Sequence, residues 1–166
     1  MPERILVTGG AGFIGSFLVD ALLECGHTVR VYDSLVPQVH GEEQRVPDYL
    51  NPEAEFVRGD VRDRDALARA IEGMDVVFHL AAAVGVGQSM YQIRYYADAN
   101  TMGGATLLDV LANGRHNVRK ILVASSMSIY GEGKYECEEH GIVYPKLRTE
   151  AQLAAHDWEM KCPHCG

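Results

Sequence analysis

The residues best suited to chemistry form a glycine-rich segment, TGGAGFIGS, at positions 8–16. An apolar run at residues 5–7 precedes it, and apolar residues recur at helical spacing after it. Gly9 would allow a tight turn, Gly12 would let backbone approach a phosphate, and Gly15 would let a helix lie close to the strand. Because the N–H groups of a helix start attract anions, the pattern predicts a pocket for a dinucleotide pyrophosphate.

A second strand followed by an acid extends this pattern. Residues 28–32 are typical of a strand, and Asp33 follows it, 18 positions after Gly15. Such folds place near this point the carboxylate that binds the adenosine ribose hydroxyls. A carboxylate would repel a 2′-phosphate, so Asp33 favours NAD over NADP. The plainer alternative is an ordinary βαβ unit with a glycine-rich turn and an exposed aspartate.

Three cysteines and a histidine have the spacing of metal ligands. The segment CPHCG, with Cys162 and Cys165, resembles a zinc knuckle. Cys137 and His140 form a second pair with two residues between them, and 21 residues separate the pairs. Together the four residues predict a structural Cys3His zinc site. The alternative is a set of reduced surface thiols.

Two further residues of ligand type are left out of this set. His164 could replace His140, but it lies between the two knuckle thiols and would point less easily at the same ion. Cys25 falls in the first predicted helix and is expected to be a small buried apolar side chain.

Length and composition limit the classes of protein. A chain of 166 residues fits one domain with a small appendage, and 47% hydrophobic residues fit a soluble globular protein. A net charge of −8 disfavours nucleic acid and anionic membranes as partners. No apolar run resembles a membrane span or a signal peptide, so we expect a cytoplasmic protein. Four cysteines there suggest metal or free thiols before disulfides.

Strand and helix patterns alternate along most of the chain. Apolar strands are predicted at residues 5–7, 28–32, 55–58, 75–80 and 120–124, with a helix capped by Asp63 and a long helix over 94–112. This order predicts an α/β fold, a Rossmann-type doubly wound parallel sheet with a small irregular zinc-knuckle tail. We predict an NAD-binding domain at 1–131 and a zinc-binding segment at 132–166, with residues 34–52 as an irregular loop and no strand after the fifth.

Six segments together resemble the extended short-chain dehydrogenases. They are TGGAGFIGS, the strand-end Asp33, GDVRD at 59–63, HLAAAVGVGQS at 79–89, the NxxGxxxLL pattern beginning at Asn100, and SSMSIYG at 125–131. Within that superfamily they resemble the NAD-dependent epimerase/dehydratase family, of the UDP-glucose 4-epimerase type. The resemblance covers about residues 4–131 and implies NAD as cofactor and a nucleotide-sugar substrate for the complete protein. Paired helices in this family suggest a homodimer.

The resemblance also implies cofactor contacts at a set of strand-end positions. These are the backbone N–H groups of Phe13 and Ile14 for the pyrophosphate; Asp33 and Ser34 for the adenosine ribose; Asp60 and Val61 beside the adenine; Leu80, Ala81, Ala82 and Ala83 along the dinucleotide; and Asn100 behind the nicotinamide. The alternatives are packing roles for the apolar residues and a solvated capping role for Asp60.

The family's chemistry implies one further site residue. A Tyr and a Lys four residues apart on a helix handle the hydroxyl proton of the sugar, assisted by a Ser or Thr. Ser126 matches the assisting Ser and is the catalytic residue that we expect in this chain. The alternative for Ser126 is a hydrogen bond to loop backbone.

No Tyr-x-x-x-Lys pair falls on a predicted helix. Tyr130 has Lys134 four positions later but belongs to the SSMSIYG turn, and Tyr135 has a glutamate four positions later. Tyr144 has Arg148 four positions later, but the intervening Pro145 favours extended backbone at the tyrosine. We therefore expect the cofactor half of an epimerase or dehydratase, a truncated product or an expressed fragment without turnover of its own. The other function left open is a non-catalytic NAD-binding module whose zinc ribbon recruits a partner.

Overall fold

A parallel sheet is the framework of residues 1–124 in the computed structural model, which describes all 166 residues. Its strands are β1 (Arg4–Thr8), β2 (Thr28–Asp33), β3 (Glu55–Arg58), β4 (Val76–His79) and β5 (Lys120–Val123). They lie in the order β3-β2-β1-β4-β5, and every neighbouring pair is parallel. β5 is an edge strand with β4 as its only sheet neighbour. The prediction of a Rossmann-type sheet is confirmed.

Helices make the crossovers between these strands. They are α1 (Phe13–Glu24), α2 (Pro37–His40), α3 (Arg64–Ile71), α4 (Val86–Ser89), α5 (Ile93–Tyr96), a π-helical stretch (Ala97–Met102) and α6 (Gly103–Asn113). The long helix predicted over 94–112 is present as α5, the π-helical stretch and α6 in direct succession. No helix combines the length and the hydropathy that a bilayer crossing would need.

Apolar residues cover both faces of the sheet because side chains alternate along each strand. In β1, Leu6 packs on one face with Leu67 and Leu107, whereas Ile5 and Val7 pack on the other. The first face is completed by α3 and α6. The second holds Val19, Val29, Val31, Leu35 and Leu50. Two covered faces explain the nearly continuous apolar runs of the strands.

The segment predicted as an irregular loop, residues 34–52, contains one element that the sequence did not predict. Pro37 opens the helical turn α2, where its fixed φ suits the first helical position. Leu35 and Leu50 are buried and anchor the segment to the core. The prolines led to the prediction of a loop, whereas the two leucines hold the segment against the sheet.

Residues 125–166 form a second compact unit. It contains a 3₁₀ turn (Met127–Tyr130), β6 (Tyr135–Cys137), β7 (Gly141–Val143) and α7 (Glu150–Ala154). β6 and β7 pair antiparallel as a hairpin. The prediction of no strand after the fifth was therefore wrong, since strands of three residues are too short to show an alternating pattern. Residues 125–131, which the sequence assigned to the NAD-binding domain, lie in this unit.

Asp63 tests the local stability of α3. Its side chain accepts a hydrogen bond from Ala66 N at 3.0 Å, as the N-cap prediction requires. We expect Asp63→Ala to lower the free energy of unfolding by about 1 kcal/mol, because a first-turn N–H loses its acceptor. Denaturant unfolding of Asp65→Ala, which removes an exposed acid without a cap, is the control. Equal losses in both variants would contradict the capping role.

Candidate functional site

The turn between β1 and α1 depends on glycine at two positions. Gly9 has φ +71°, and a Cβ there would lie 2.7 Å from Ala81 N. A Cβ on Gly15 would overlap the carbonyl oxygen of Gly9 and the backbone of Gly10. Gly12 differs, since its Cβ would meet only the Gly9 oxygen, at 3.3 Å. Gly9 and Gly15 are thus required for the turn to close, whereas the surface at Gly12 stays open.

The start of α1 is available to an anion. Gly12 is the N-cap and supplies no side chain, so no side chain caps the first-turn N–H groups of this 12-residue helix. The Ser16 hydroxyl does not cap them either, because it donates to the carbonyl oxygen of Phe13 at 3.0 Å. The side chains of Phe13 and Ile14 are 79% and 71% exposed. An uncapped helix start behind a glycine turn is suited to bind phosphate.

Asp33 ties the end of β2 to this turn. It is buried, and its Oδ2 accepts from Ala11 N at 3.1 Å while Oδ1 accepts from Leu35 N at 2.9 Å. His40 Nε2 lies 3.9 Å from Oδ1. A carboxylate has about four acceptor positions, so Asp33 can still accept hydrogen bonds from a diol. Ser34 follows it and is half-buried.

His40 is a site residue that sequence reasoning missed. Its side chain is almost fully buried beside Asp33, although it comes from α2 in the predicted irregular loop. Tyr49 is a second missed residue from the same segment, since its hydroxyl donates to Ala11 O at 2.8 Å. In the sequence, only Pro37 and the leucines at positions 35 and 50 indicate that this segment is ordered.

Asp60 and Val61 follow the end of β3, and their side chains have different surroundings. Asp60 Oδ1 accepts from Arg62 N and Arg62 Nε, both at 2.9 Å, and the hydrogen bond to the guanidinium lowers the pKa of the Asp60 carboxyl. Tyr32 Oη donates to Asp60 O at 2.9 Å. Burial raises the pKa of Tyr32 to about 12, so its hydroxyl remains a donor. Val61 is buried and belongs to the core.

The end of β4 lies directly beside the turn of β1. Leu80 N donates to Thr8 O at 3.0 Å, and Ala81 N donates to Thr8 Oγ1 at 3.3 Å. Thr8 Oγ1 also contacts His79 Nδ1 at 2.8 Å. These contacts hold the small residues that follow β4 next to the glycine turn. Residues 80–83 and the turn of β1 therefore lie side by side where the sheet order reverses between β1 and β4, the place where folds of this kind have their ligand crevice.

Asn100 holds the far end of this segment. Its Oδ1 accepts from Ala83 N at 2.7 Å, and its Nδ2 donates to Ala83 O at 3.0 Å. The residue lies in the π-helical stretch, a rare geometry that is frequent at functional sites. The structure shows Asn100 positioning the strand-end backbone with both polar atoms of its side chain.

Ser126 lies in the second unit. Its Oγ accepts from Ser128 N at 3.1 Å at the start of the 3₁₀ turn, and its hydroxyl proton is free to be donated. Tyr144 and Arg148 do not lie on a helix. Arg148 instead pairs with Glu132 at 3.1 Å and donates to Trp158 O at 2.9 Å, so it supports the unit's own structure.

The four predicted metal ligands lie together in the second unit. The ligand atoms of Cys137, His140, Cys162 and Cys165 are all within 4.8 Å of one another. Hydrogen bonds to Cys162 and Cys137 raise the pKa of Cys165 to about 11. The cluster has the donor set of a Cys3His site.

The parallel sheet, with its order reversing between β1 and β4, defines a Rossmann-type α/β protein. A family model described as "NAD dependent epimerase/dehydratase family" matches residues 5–151. The chain belongs to the NAD-dependent epimerase/dehydratase family, and it is similar to UDP-glucose 4-epimerases.

Three known proteins show the extent of this similarity. The dTDP-L-rhamnose 4-epimerase of Burkholderia thailandensis is 38% identical over 159 residues, which cover 95% of this chain and 44% of the relative. The UDP-glucose 4-epimerase of Neisseria meningitidis serogroup C is 39% identical over 132 residues, covering 78% and 38%. A crystal structure of UDP-glucose-4-epimerase from Stenotrophomonas maltophila, with bound NAD and formylated UDP-arabinopyranose, gives a TM-score of 0.67 at 34% identity, covering 78% and 38%. The chain thus spans about 40% of the length of these relatives.

The buried His79 makes the free energy of unfolding depend on pH. Burial lowers its pKa below the value near 6.5 of an unfolded histidine, so on acidification the unfolded chain binds the proton first. We expect the free energy of unfolding to fall as the pH is lowered through about 6.5, and to fall less in His79→Asn. Denaturant unfolding at about pH 7.5 and about pH 5.5 measures this. The exposed His156→Asn is the matched control, and identical pH dependence in both variants would contradict the assignment.

Proposed function

We propose that the crevice at the ends of β1, β2 and β4 binds NAD. The observation that carries the proposal is the uncapped start of α1 beside the buried carboxylate of Asp33. The pyrophosphate would accept hydrogen bonds from Phe13 N and Ile14 N, over a surface that Gly12 leaves free of a Cβ. The ribose diol would donate to Asp33, with Ser34 beside it.

The remaining strand ends support the two halves of the dinucleotide. Asp60 and Val61 would border the adenine, with the Arg62 guanidinium holding the Asp60 carboxylate in place. The small side chains of residues 81–83 would leave room for the cofactor along the end of β4. Asn100 would act as a positioning residue for the nicotinamide half, since its amide fixes Ala83 from both sides.

We propose that the longer protein containing this chain is a nucleotide-sugar epimerase or dehydratase. Bound NAD would accept a hydride from a sugar carbon and return it. Ser126 would hold the reacting hydroxyl, because its proton is free while its oxygen is oriented by Ser128 N. The one Tyr-x-x-x-Lys spacing in residues 1–166 is Tyr130 with Lys134, and the positive φ angles of Gly131 and Gly133 between them exclude a helix. The acid–base step would therefore need groups from elsewhere in the longer protein.

The extent of the similarity favours 4-epimerisation of a deoxysugar nucleotide over that of UDP-glucose. Coverage of 95% by the dTDP-L-rhamnose 4-epimerase leaves only about eight residues of this chain outside the alignment. The shared region therefore includes most of the second unit. The Neisseria UDP-glucose 4-epimerase covers 78% of the chain. We accordingly propose a dTDP-6-deoxyhexose as the first substrate to test.

A second candidate function is a non-catalytic NAD-binding module with a partner-binding zinc ribbon at residues 132–166. The absence of a Tyr-x-x-x-Lys pair on a helix favours it, and so does the presence of metal-ligand residues outside the sheet. An open reading frame that continues with Tyr-x-x-x-Lys supports the enzyme. A reading frame without that pair supports the module.

Cofactor binding is tested by calorimetric titration with NAD and NADP. We expect NAD to bind, and NADP to bind at least about tenfold more weakly, because Asp33 would repel the 2′-phosphate. Gly12→Ala should weaken NAD binding at least about tenfold, equivalent to about 1.4 kcal/mol, since its methyl group would occupy the phosphate surface.

The control for Gly12→Ala is Gly104→Ala on α6. A Cβ at Gly104 meets no atom within 4 Å, so this variant makes the same chemical change away from the crevice. Both variants should retain the thermal unfolding midpoint of the unmodified chain to within a few degrees. Equal NAD affinity in Gly12→Ala and Gly104→Ala would overturn the phosphate site, and tighter binding of NADP would overturn the role of Asp33.

The isolated chain should not turn over a sugar nucleotide. Incubation of residues 1–166 with NAD and either dTDP-L-rhamnose, UDP-glucose or UDP-galactose should leave the substrate unchanged by NMR, since no helix of the chain carries a Tyr-x-x-x-Lys pair for the proton transfer. Turnover near 1 s⁻¹, on the order of ordinary enzyme rates, would refute this expectation. NAD binding, measured in the same sample, shows that the protein is folded.

A further inference from the structure

The cysteines and the histidine of the second unit converge from two separate segments. Cys137 ends β6, and His140 lies in the turn that leads into β7. Cys162 and Cys165 lie on a turn that closes through a hydrogen bond from Gly166 N to Cys162 O at 3.0 Å. The hairpin and this turn together bring all four ligand atoms within 4.8 Å of one another.

Three distances within the cluster match the edges of a tetrahedral zinc site. Zn–S bonds of about 2.3 Å and Zn–N bonds of about 2.0–2.1 Å give tetrahedral edges of about 3.8 Å between sulfurs and about 3.6 Å between sulfur and nitrogen. Cys137 Sγ lies 3.6 Å from Cys165 Sγ and 3.6 Å from His140 Nδ1. Cys162 Sγ lies 3.7 Å from the same nitrogen. A disulfide would instead need sulfurs about 2.05 Å apart.

The backbone around the cluster also suits a thiolate ligand. His164 N donates to Cys162 Sγ at 3.4 Å, and a hydrogen bond of this kind favours the charged form of the sulfur. His164 thus contributes to the cluster through its backbone N–H. Its ring packs against His140 with a centroid separation of 5.1 Å, and it is not among the four converging ligands.

The second unit has little else to hold it together. Val143 is its only buried apolar residue, its strands have three residues each, and its cysteines are free thiols. Units of this size generally need disulfides or a metal ion to stay folded, because their cores are too small. A metal at the cluster would join Cys137 to Cys165 across 28 positions of sequence.

We propose that Cys137, His140, Cys162 and Cys165 form a closed Cys3His zinc site on which the fold of the second unit depends. Thiolates and an imidazole select zinc over magnesium or calcium, which prefer oxygen ligands. Four protein ligands complete a tetrahedron and leave no position for water or substrate, so the role is structural and not catalytic. All four ligands lie in the second unit, outside residues 1–124, which contain the proposed NAD site.

Metal analysis of the whole chain, purified without added zinc, tests the proposal directly. About one equivalent of zinc is expected, and replacement by cobalt(II) should give the intense visible absorption of tetrahedral thiolate coordination. Removal of the metal with a chelator should open residues 125–166 to limited proteolysis and spare the sheet, because metal binding supplies the folding energy of such a unit. A metal-free chain whose second unit resists proteolysis would overturn the proposal.

Variants identify the ligands. Cys162→Ser and His140→Ala should lose the zinc, whereas Cys25→Ser and His164→Gln should keep it. His140→Cys should also keep it, as a site of four thiolates, which distinguishes loss of a ligand from general misfolding. Full zinc content in Cys162→Ser, or loss of zinc in His164→Gln alone, would overturn the ligand set. NAD titration of each variant reports separately on residues 1–124.

Discussion

The close approach of two backbone segments is the constraint on which the crevice depends. The turn after β1 and the segment after β4 come so near that a side chain at Gly9 would collide with Ala81 N. Thr8 holds the contact from the other side, since its carbonyl and hydroxyl oxygens accept from Leu80 and Ala81. Any larger residue at position 9 would separate β1 from β4 and widen the floor of the site.

Asp33, the last residue of β2, connects this strand to the turn after β1. The residue serves the protein's own architecture, because its two oxygens accept from the backbone of Ala11 and Leu35. Folds of this kind use a carboxylate at this strand end to bind a ribose. If Asp33 binds NAD as proposed, one side chain both orders the glycine turn and selects the cofactor.

The sheet, the glycine turn and the Cys/His cluster could be predicted because each depends on the spacing of residues close together in the sequence. Strand runs, Asp63 as a cap, and the Cys-x-x-His and Cys-x-x-Cys pairs need only a few neighbouring residues. The hydrogen bonds between Asn100 and Ala83 could not be predicted, because they join residues 17 positions apart and depend on a π-helical stretch that no sequence pattern indicates. His40 and the hairpin of the second unit were not predicted for a related reason. Buried leucines and a few long-range contacts order segments whose composition predicts a loop.

The edge position of β5 has a consequence for the behaviour of the chain in solution. Leu122 is 39% exposed and Val123 61% exposed, and one side of the strand has no sheet neighbour. An unprotected strand edge with apolar side chains is a template for pairing with another molecule. Concentrated samples will therefore tend to aggregate through this edge, and a lysine at position 123 would oppose that pairing by placing a charge on the strand.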